Sequence, residues 1–535
     1  FTSSNGVGDI GFRSWRYGYR EAIYNHAGRG FQGFRSITKE QIPLSGDVAR
    51  SLRTKTTFHQ KFPLTGRVEK VETGKPRGVR DISAHTREVY DWRCNVLNRS
   101  ACDTLNGATP THFPYALTQT TTTFDATAAE ADSEVAIAEV VVRNYDEATS
   151  GAGMDTYGNP TFTETVAKDL ATDTFGLGRF VESKRTRETN TYFPHDTANW
   201  WIGKLERNVK TVFPILWGTT HPLPLDASTA QQSVETVHSW NTNRTPQTLN
   251  VQPNAGDTQS LRTEFEYARE YGLPTAVRRY GKPTDSQPEG VRITKTVYSA
   301  DGYFPIALTE VVDTGNGTGL TTEVSHRSKD GQIEYMRSPT GNTTTSMYDV
   351  FGRLTGTETR DANAYFSQQP VSIAWNRCSG GTCGNLVGHG GKRSDGLSAQ
   401  QFSSYTTTTV QNGSPTKVVW FDALGREIKT ATRGHDGTFS VSLVEYDAMN
   451  AIARQSVPFL LTDENAFAPA NTAFTYDRAG RTKSKRVETK PGVPLLDSAG
   501  GNVMTDYAYT GNRTDILVRG ANVADCALPN TGGEN

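Results

Sequence analysis

Asp349, Asp422, Asp447 and Asp477 occupy one recurrent setting, and that setting decides what a carboxylate there can do. Each follows an aromatic residue and stands three positions before a Gly or Asn: Tyr348-Asp349-Val350-Phe351-Gly352-Arg353, Phe421-Asp422-Ala423-Leu424-Gly425-Arg426, Tyr446-Asp447-Ala448-Met449-Asn450-Ala451 and Tyr476-Asp477-Arg478-Ala479-Gly480-Arg481. Acid–base catalysis needs a second titratable group held opposite the first. The histidines are scattered singly and no paired-carboxylate spacing recurs, so no catalytic constellation assembles. The chemistry these aspartates do supply is capping of a turn backbone, with Gly or Asn taking the positive φ that the turn requires.

The five cysteines fit a metal poorly, because zinc asks for four ligands in paired short spacings. Cys94 and Cys102 lie eight apart, Cys378 and Cys383 five apart, and Cys526 stands alone. Local disulfides, if the chain is extracellular, or free buried thiols otherwise, are the two readings. The glycine-rich stretch from Ser379 to Gly396 invites a phosphate-loop reading and fails it. Leu386 stands where such a loop needs Gly, and Lys392 is followed by Arg393 instead of Ser or Thr. A surface loop pinned by Cys378 and Cys383 remains. Leu528-Pro529-Asn530-Thr531-Gly532 matches a sortase pentapeptide, but only three residues follow it, so chance or truncation accounts for it. No cofactor is expected.

The elements that must position these turns are strands. With 50 Gly and 24 Pro, a helix of ten or more residues finds few windows. After the first motif, Leu354, Thr355, Thr357 and Thr359 have the β-branched, alternating texture of a half-buried strand. The motif starts are 73, 25 and 30 residues apart, a loose repeat with insertions whose units must stack to bury their apolar faces. Degenerate copies start at Tyr267 and Tyr298, with a further turn at Ser328-Lys329-Asp330-Gly331-Gln332-Ile333. Residues Ala126 to Glu134 predict a short helix between strands at 120–124 and 140–145. The paired tryptophans of Trp200-Trp201-Ile202-Gly203-Lys204-Leu205 serve wall packing more readily than sugar stacking. The fold class is all-β.

Apolar residues make up only 35% and mean hydropathy is −0.56, yet 21 Tyr, 23 Phe and 8 Trp argue against disorder. A sheet wetted on both faces reconciles these. Net charge of −1 gives no field to attract nucleic acid, and no window is apolar enough for a membrane helix. The first residue is not Met, which suggests a piece of something larger.

The tyrosine–aspartate motif resembles that of the Rhs/YD-repeat proteins, which include the B and C components of bacterial insecticidal toxin complexes and the teneurins. Three ordered stretches, Gly11 to Arg20, Gly28 to Arg35 and Phe58 to Arg67, are similar to the toxin-complex B component, as is the Trp200–Leu205 segment, where the resemblance implies a tryptophan–glycine strand after a polar loop. In that reading Tyr17, Tyr19, Phe31 and Phe34 are strand aromatics with arginines alongside. The resemblance implies antiparallel hairpins in a long spiralling sheet, part of a hollow shell, with residues 1–110 as its B-like leading segment and 111–535 as YD-repeat wall. It implies a secreted, non-enzymatic virulence protein that encloses a C-terminal effector. The family's aspartyl autoprotease core has no match here. Partners would be the effector or the remaining shell chain, with self-association through open edges. The alternatives are an extracellular adhesion or carbohydrate-binding module and a β-solenoid enzyme acting on polysaccharide.

Overall fold

The computed structural model describes residues 2–4, 12–26, 28–42, 51–78, 81–94, 102, 113–146, 153–172, 178–213, 232–253, 260–268, 272–280, 291–313, 318–363, 367–379, 383, 403–447, 449–460, 470–490, 493–495, 503–510 and 513–519. The glycine-rich stretch, apart from Ser379 and Cys383, lies outside these residues, as do Cys526 and the pentapeptide at 528–532. Within them 33 antiparallel strands join in one sheet. One helix accompanies it among the described residues, Ala126–Glu130, capped by Asp125, which accepts from the Thr127 and Ala128 amides, and ended where Asp132 takes left-handed backbone, φ 60°. The flanking strands are Tyr115–Phe124 and Ala136–Arg143.

The sheet is a meander. From Thr2–Ser4 to Ile452–Ser456 each strand pairs with the next in the chain, and Phe459–Leu460 then turns aside onto Phe439–Tyr446. The path resumes through Asn471–Tyr476, Thr482–Lys490, Met504–Thr510 and Arg513–Arg519. Because every strand reverses direction, the turns alternate between two rims. The tyrosine–aspartate turns all fall on one of them, here called the motif rim; the other is the far rim.

One irregularity repeats along the motif rim. Tyr348 pairs with Leu354 and Met347 with Gly356, so Thr355 bulges out of the ladder. The same one-residue bulge follows the residue at the strand end at Phe421, Tyr446 and Tyr476, and also at Phe58, Trp92, Tyr192, Trp240, Tyr267, Tyr298 and His326. Loop lengths differ widely while the bulge stays. A bulge bends its strand and increases local twist, so its repetition curls the sheet in one sense.

The curl brings the end of the chain onto its beginning. Arg478, on the motif rim, donates from Nη1 to the Ser51 carbonyl on the far rim, and Thr127 Oγ1, on the far rim, donates to the Tyr509 carbonyl at 2.9 Å. Motif rim therefore lands on far rim, one strand length along the axis, which makes a spiral and not a closed ring. About 25 strands separate the two sides of this seam. At about 4.8 Å per strand the coil is about 40 Å across, or about 50 Å if strands tilt as in closed barrels.

Most of this wall is one layer thick. Val291–Tyr298, Leu261–Tyr267 and Thr343–Tyr348 contain no buried residue. Total accessible surface is 31756 Å², against about 19,000 Å² for a compact monomer of this mass. The wetted-sheet expectation has a local exception around Lys417–Phe421. There Val418, Val419 and Trp420, which point to alternate faces, are all buried. Val418 and Trp420 join Ile428, Ala431, Val441, Leu443, Phe459 and both cysteines of the 378–383 pair in a small core.

Residues 200–204 correct the reading of that segment as a strand. Trp200 and Gly203 take left-handed backbone, φ 54° and 76°, and Asp196 pairs across to Trp201, so these residues form a turn and the strand begins at Leu205.

Candidate functional site

Each tyrosine–aspartate turn is closed by its own aspartate. Asp349 Oδ1 accepts from the Phe351 and Arg353 amides, both at 2.9 Å, while Oδ2 accepts from Arg353 Nε at 2.6 Å. Asp422 repeats this with Leu424 and Arg426, Asp447 with Met449 and Ala451, and Asp477 binds the Arg481 amide and guanidinium. Gly352, Gly425, Asn450 and Gly480 all have φ between 74° and 81°. Burial alone would raise the Asp349 carboxyl, but the Arg353 amide and guanidinium outweigh it and hold the group below its usual value. These carboxylates are saturated with donors, which suits them to structure.

The motif aromatics reach backward. Tyr446 Oη donates to the Glu427 carbonyl at 2.9 Å, Tyr476 to Ile452 and Tyr348 to Ile333 at 2.8 Å, and Tyr509 to Thr482 at 2.7 Å. Each acceptor is the first residue of the preceding hairpin's return strand. Tryptophan does the same with its indole N–H: Trp375 to Leu354, Trp240 to Leu205 and Trp92 to Val68. The motif arginine completes the link, since Arg353 lies over Trp375, Arg426 over Tyr446 and Arg481 over Tyr509, at 5.2, 4.3 and 4.2 Å from the ring centroids. Arg67 over Trp92 shows that Phe58–Arg67 is an earlier version of the same device. Phe421 has no donor and instead stacks on Tyr405 at 4.8 Å. The copies at Trp92, Tyr192 and Trp240 are absent from the sequence reading; a Tyr or Trp placed just before a turn was the available signal.

Cys94–Cys102 and Cys378–Cys383 are disulfides, with Cα atoms 4.9 and 4.1 Å apart. Tyr19 packs on Phe34 at 4.9 Å and Phe31 on Phe34 at 5.4 Å, all within one hairpin. Trp201 lies between Lys204 and Arg244, whereas Trp200 is 75% exposed. Tyr303 and Phe351 are similarly bare at tips of the motif rim that flank the His326–Ile333 turn.

One histidine–aspartate pair has a catalytic look. His195 Nε2 lies 3.0 Å from Asp155 Oδ2, but its Nδ1 accepts from the Gly203 amide at 3.4 Å, so Nε2 carries the proton and donates it. Both nitrogens are thus engaged, and Asp155 also binds the Tyr157 and Asn159 amides. The pair fastens two neighbouring turns. Among the described residues no group of three His, Cys, Asp or Glu side chains could hold a metal ion.

No known protein family and no curated protein matches the sequence. Solved structures do. The crystal structure of TcdB2-TccC3 superposes with a TM-score of 0.59 at 10% identity over 95% of this chain. The Photorhabdus luminescens Tc holotoxin pore gives 0.63 at 10% identity, again over 95%. The chain has a toxin-complex fold. It spans about a third of those chains, 31% and 32% of their lengths. A long open antiparallel sheet is thus an architecture that toxin-complex chains also have. No helix among the described residues is long and apolar enough to cross a membrane.

Proposed function

We infer that this chain is a wall segment of a secreted Rhs/YD-repeat shell that encloses an effector polypeptide, and that the wall performs no catalysis. The observation that carries this reading is the seam from Arg478 to Ser51, because a single-layer sheet that returns onto itself after about 25 strands surrounds a space instead of filling it. A wall of this kind acts by exclusion. Effector held inside is kept from proteases and from other unfolded chains, and the chemistry required of the wall is only its own persistence.

The turn devices supply that persistence. Asp, Arg and the following aromatic tie each hairpin to the next without a thick core, so the lumen stays open. Two disulfides favour an oxidising exterior. The test is to express the chain together with its downstream coding region and to digest it with a nonspecific protease. An effector fragment that survives until the wall is denatured supports encapsulation; one cleaved as fast as the free effector defeats it.

The bare Trp200, Tyr303 and Phe351 favour a second reading, adhesion through the motif rim. Glycan-array binding that is lost in Trp200→Ala, with no protected effector, would put that reading first.

A further inference from the structure

The strand Phe12–Asn25 has one edge inside the ladder and one mostly outside it. From Ser14 to Asn25 it pairs with Gly30–Ile42, whereas on the other side Thr2–Ser4 covers only Phe12, Arg13 and Ser14. Beyond Arg20 the edge is interrupted, because Glu21 takes left-handed backbone, φ 51°, and its carbonyl accepts from Gln60 Nε2 at 2.5 Å. Between these limits Arg16 to Arg20 run in unbroken register with Ser36 to Glu40, and among the described residues no strand lies beside their outer edge. In an antiparallel ladder every second residue turns both its N–H and its C=O to the outer side, so this stretch is a template for one more strand.

The two faces of this stretch differ in chemistry. Arg16, Gly18 and Arg20 point to one side, Tyr17 and Tyr19 to the other, where both tyrosines are exposed. On the arginine side the next two strands add Glu40, Thr38 and Ser36, then Arg53, Lys55 and Thr57. Glu40 is taken by Arg53, whose Nη2 and Nε lie 2.8 and 3.3 Å from Oε2, and Glu72, opposite Lys55, is held by Lys70 and Arg87. Arg16, Arg20 and Lys55 have no ion pair among the described residues, unlike cations farther along the sheet, where Lys168 holds Glu139 at 2.7 Å and Arg187 holds Glu164 at 3.1 Å. Gly18 leaves a gap between the two arginines, since a Cβ there would meet Thr38 Oγ1 at 2.5 Å.

Charge and spacing together select a ligand. Arg16 and Arg20 are four residues apart along an extended strand, about 13 Å, a spacing that suits a row of carboxylates better than one small anion. An extended chain has the same repeat as its template. Laid along Arg16–Arg20, it sets alternate side chains beside Arg16, Gly18 and Arg20 and the intervening ones beside Tyr17 and Tyr19. Carboxylates in the first set pair with the arginines, and apolar side chains in the second cover the tyrosines. A basic segment would meet like charge at both ends.

We propose that the outer edge of Arg16–Arg20 is a strand-addition site for an extended segment of another polypeptide in which acidic and apolar side chains alternate. Main-chain hydrogen bonds supply the hold; Arg16 and Arg20, with Lys55 behind them, supply the selection. The site does not depend on an enclosed effector, so failure of the encapsulation test leaves it standing.

The test uses the full chain and three short labelled peptides: glutamate alternating with valine, lysine alternating with valine, and the first of these with proline at its centre. Fluorescence anisotropy should show binding of the unbroken glutamate peptide alone. Its affinity should fall about tenfold in Arg16→Ala/Arg20→Ala, and likewise when salt rises from about 0.05 to about 0.5 M. Hydrogen exchange should slow at Arg16–Arg20 on binding and stay unchanged at Val291–Tyr298. Arg16→Glu/Arg20→Glu should reverse the preference toward the lysine peptide. Equal binding of the lysine and glutamate peptides by the parent overturns the charge selection. Equal binding of the proline peptide, or protection that falls elsewhere, overturns strand addition. If no peptide binds and Arg16→Ala/Arg20→Ala self-associates, the arginines only guard an open edge and the site is overturned altogether. Should the arginine variants fail to fold, the salt dependence and the exchange map of the parent decide by the same criteria.

Discussion

The Arg426 guanidinium lies 4.3 Å from the centre of the Tyr446 ring, while the Tyr446 hydroxyl donates to the carbonyl of Glu427, the residue next to that arginine. One aromatic side chain thus grips the preceding hairpin at two adjacent points. Asp422 holds the arginine in place for it, with Nε at 2.6 Å from Oδ2.

Tyr446→Phe removes the hydroxyl bond and keeps the ring, so it should cost about 1 kcal/mol. Tyr446→Leu should cost more, by about 0.5–1 kcal/mol, through the lost cation–π contact. A double-mutant cycle with Arg426→Ala checks this: coupling should appear with Tyr446→Leu and shrink with Tyr446→Phe. Urea melts of the parent, the three single variants and the two double variants supply the measurement, and equal coupling in both cycles would refute the ring contact.

At Gly480 an added Cβ meets nothing within 4 Å, so any cost is that of φ +81° alone. Gly480→Val should lose about 1–2 kcal/mol and Gly480→Asn well under half of that. Asn450 already occupies the equivalent turn position at φ 74°. Chemical denaturation of both variants ranks them, and Asn as costly as Val would sink the argument.

Acid should weaken the motif rim. The Arg327 guanidinium lowers Asp330, Asp155 is lowered by the Asn159 and Tyr157 hydrogen bonds against its burial, and Asp349 is lowered as described. For each the unfolded chain binds more protons, so this stability is present above the unfolded value of about 3.9 and is lost as pH falls through the folded pKa. Thermal melts should be flat from about pH 7 to 5 and fall below about pH 4. A melting temperature that rises on acidification would reverse the sign.

Reducing Cys378–Cys383, which closes a five-residue separation beside a small core, should cost about 2 kcal/mol on the loop-entropy estimate. The loss should be confined to residues 405–460. Exchange-coupled mass spectrometry with and without reductant locates it, and protection that stays unchanged there after reduction would contradict the estimate.

Scattering should give a radius of gyration well above the roughly 24 Å of a compact 535-residue globule. A value at 24 Å would mean a collapsed two-layer sandwich.

The features legible in residue type and spacing are local. An Asp followed three residues on by Gly or Asn specifies a turn whose carboxylate, left-handed position and returning strand all lie within one hairpin, so Asp349, Asp422, Asp447 and Asp477 were legible, as were the strands around them and two cysteine spacings short enough for local bridges. The tertiary structure decided the rest. That Tyr446 grips Glu427, or that Trp92 belongs to the same series as Tyr446, depends on register between hairpins whose loops vary in length, and no fixed spacing carries that register. The pairing of Arg478 with Ser51 is more remote still: it follows from a small bend added at each bulge over about 25 strands, a sum that no single residue encodes. Trp200 was misjudged for a related reason, because a left-handed backbone at a bulky residue is imposed by its neighbours and has no signature in residue type.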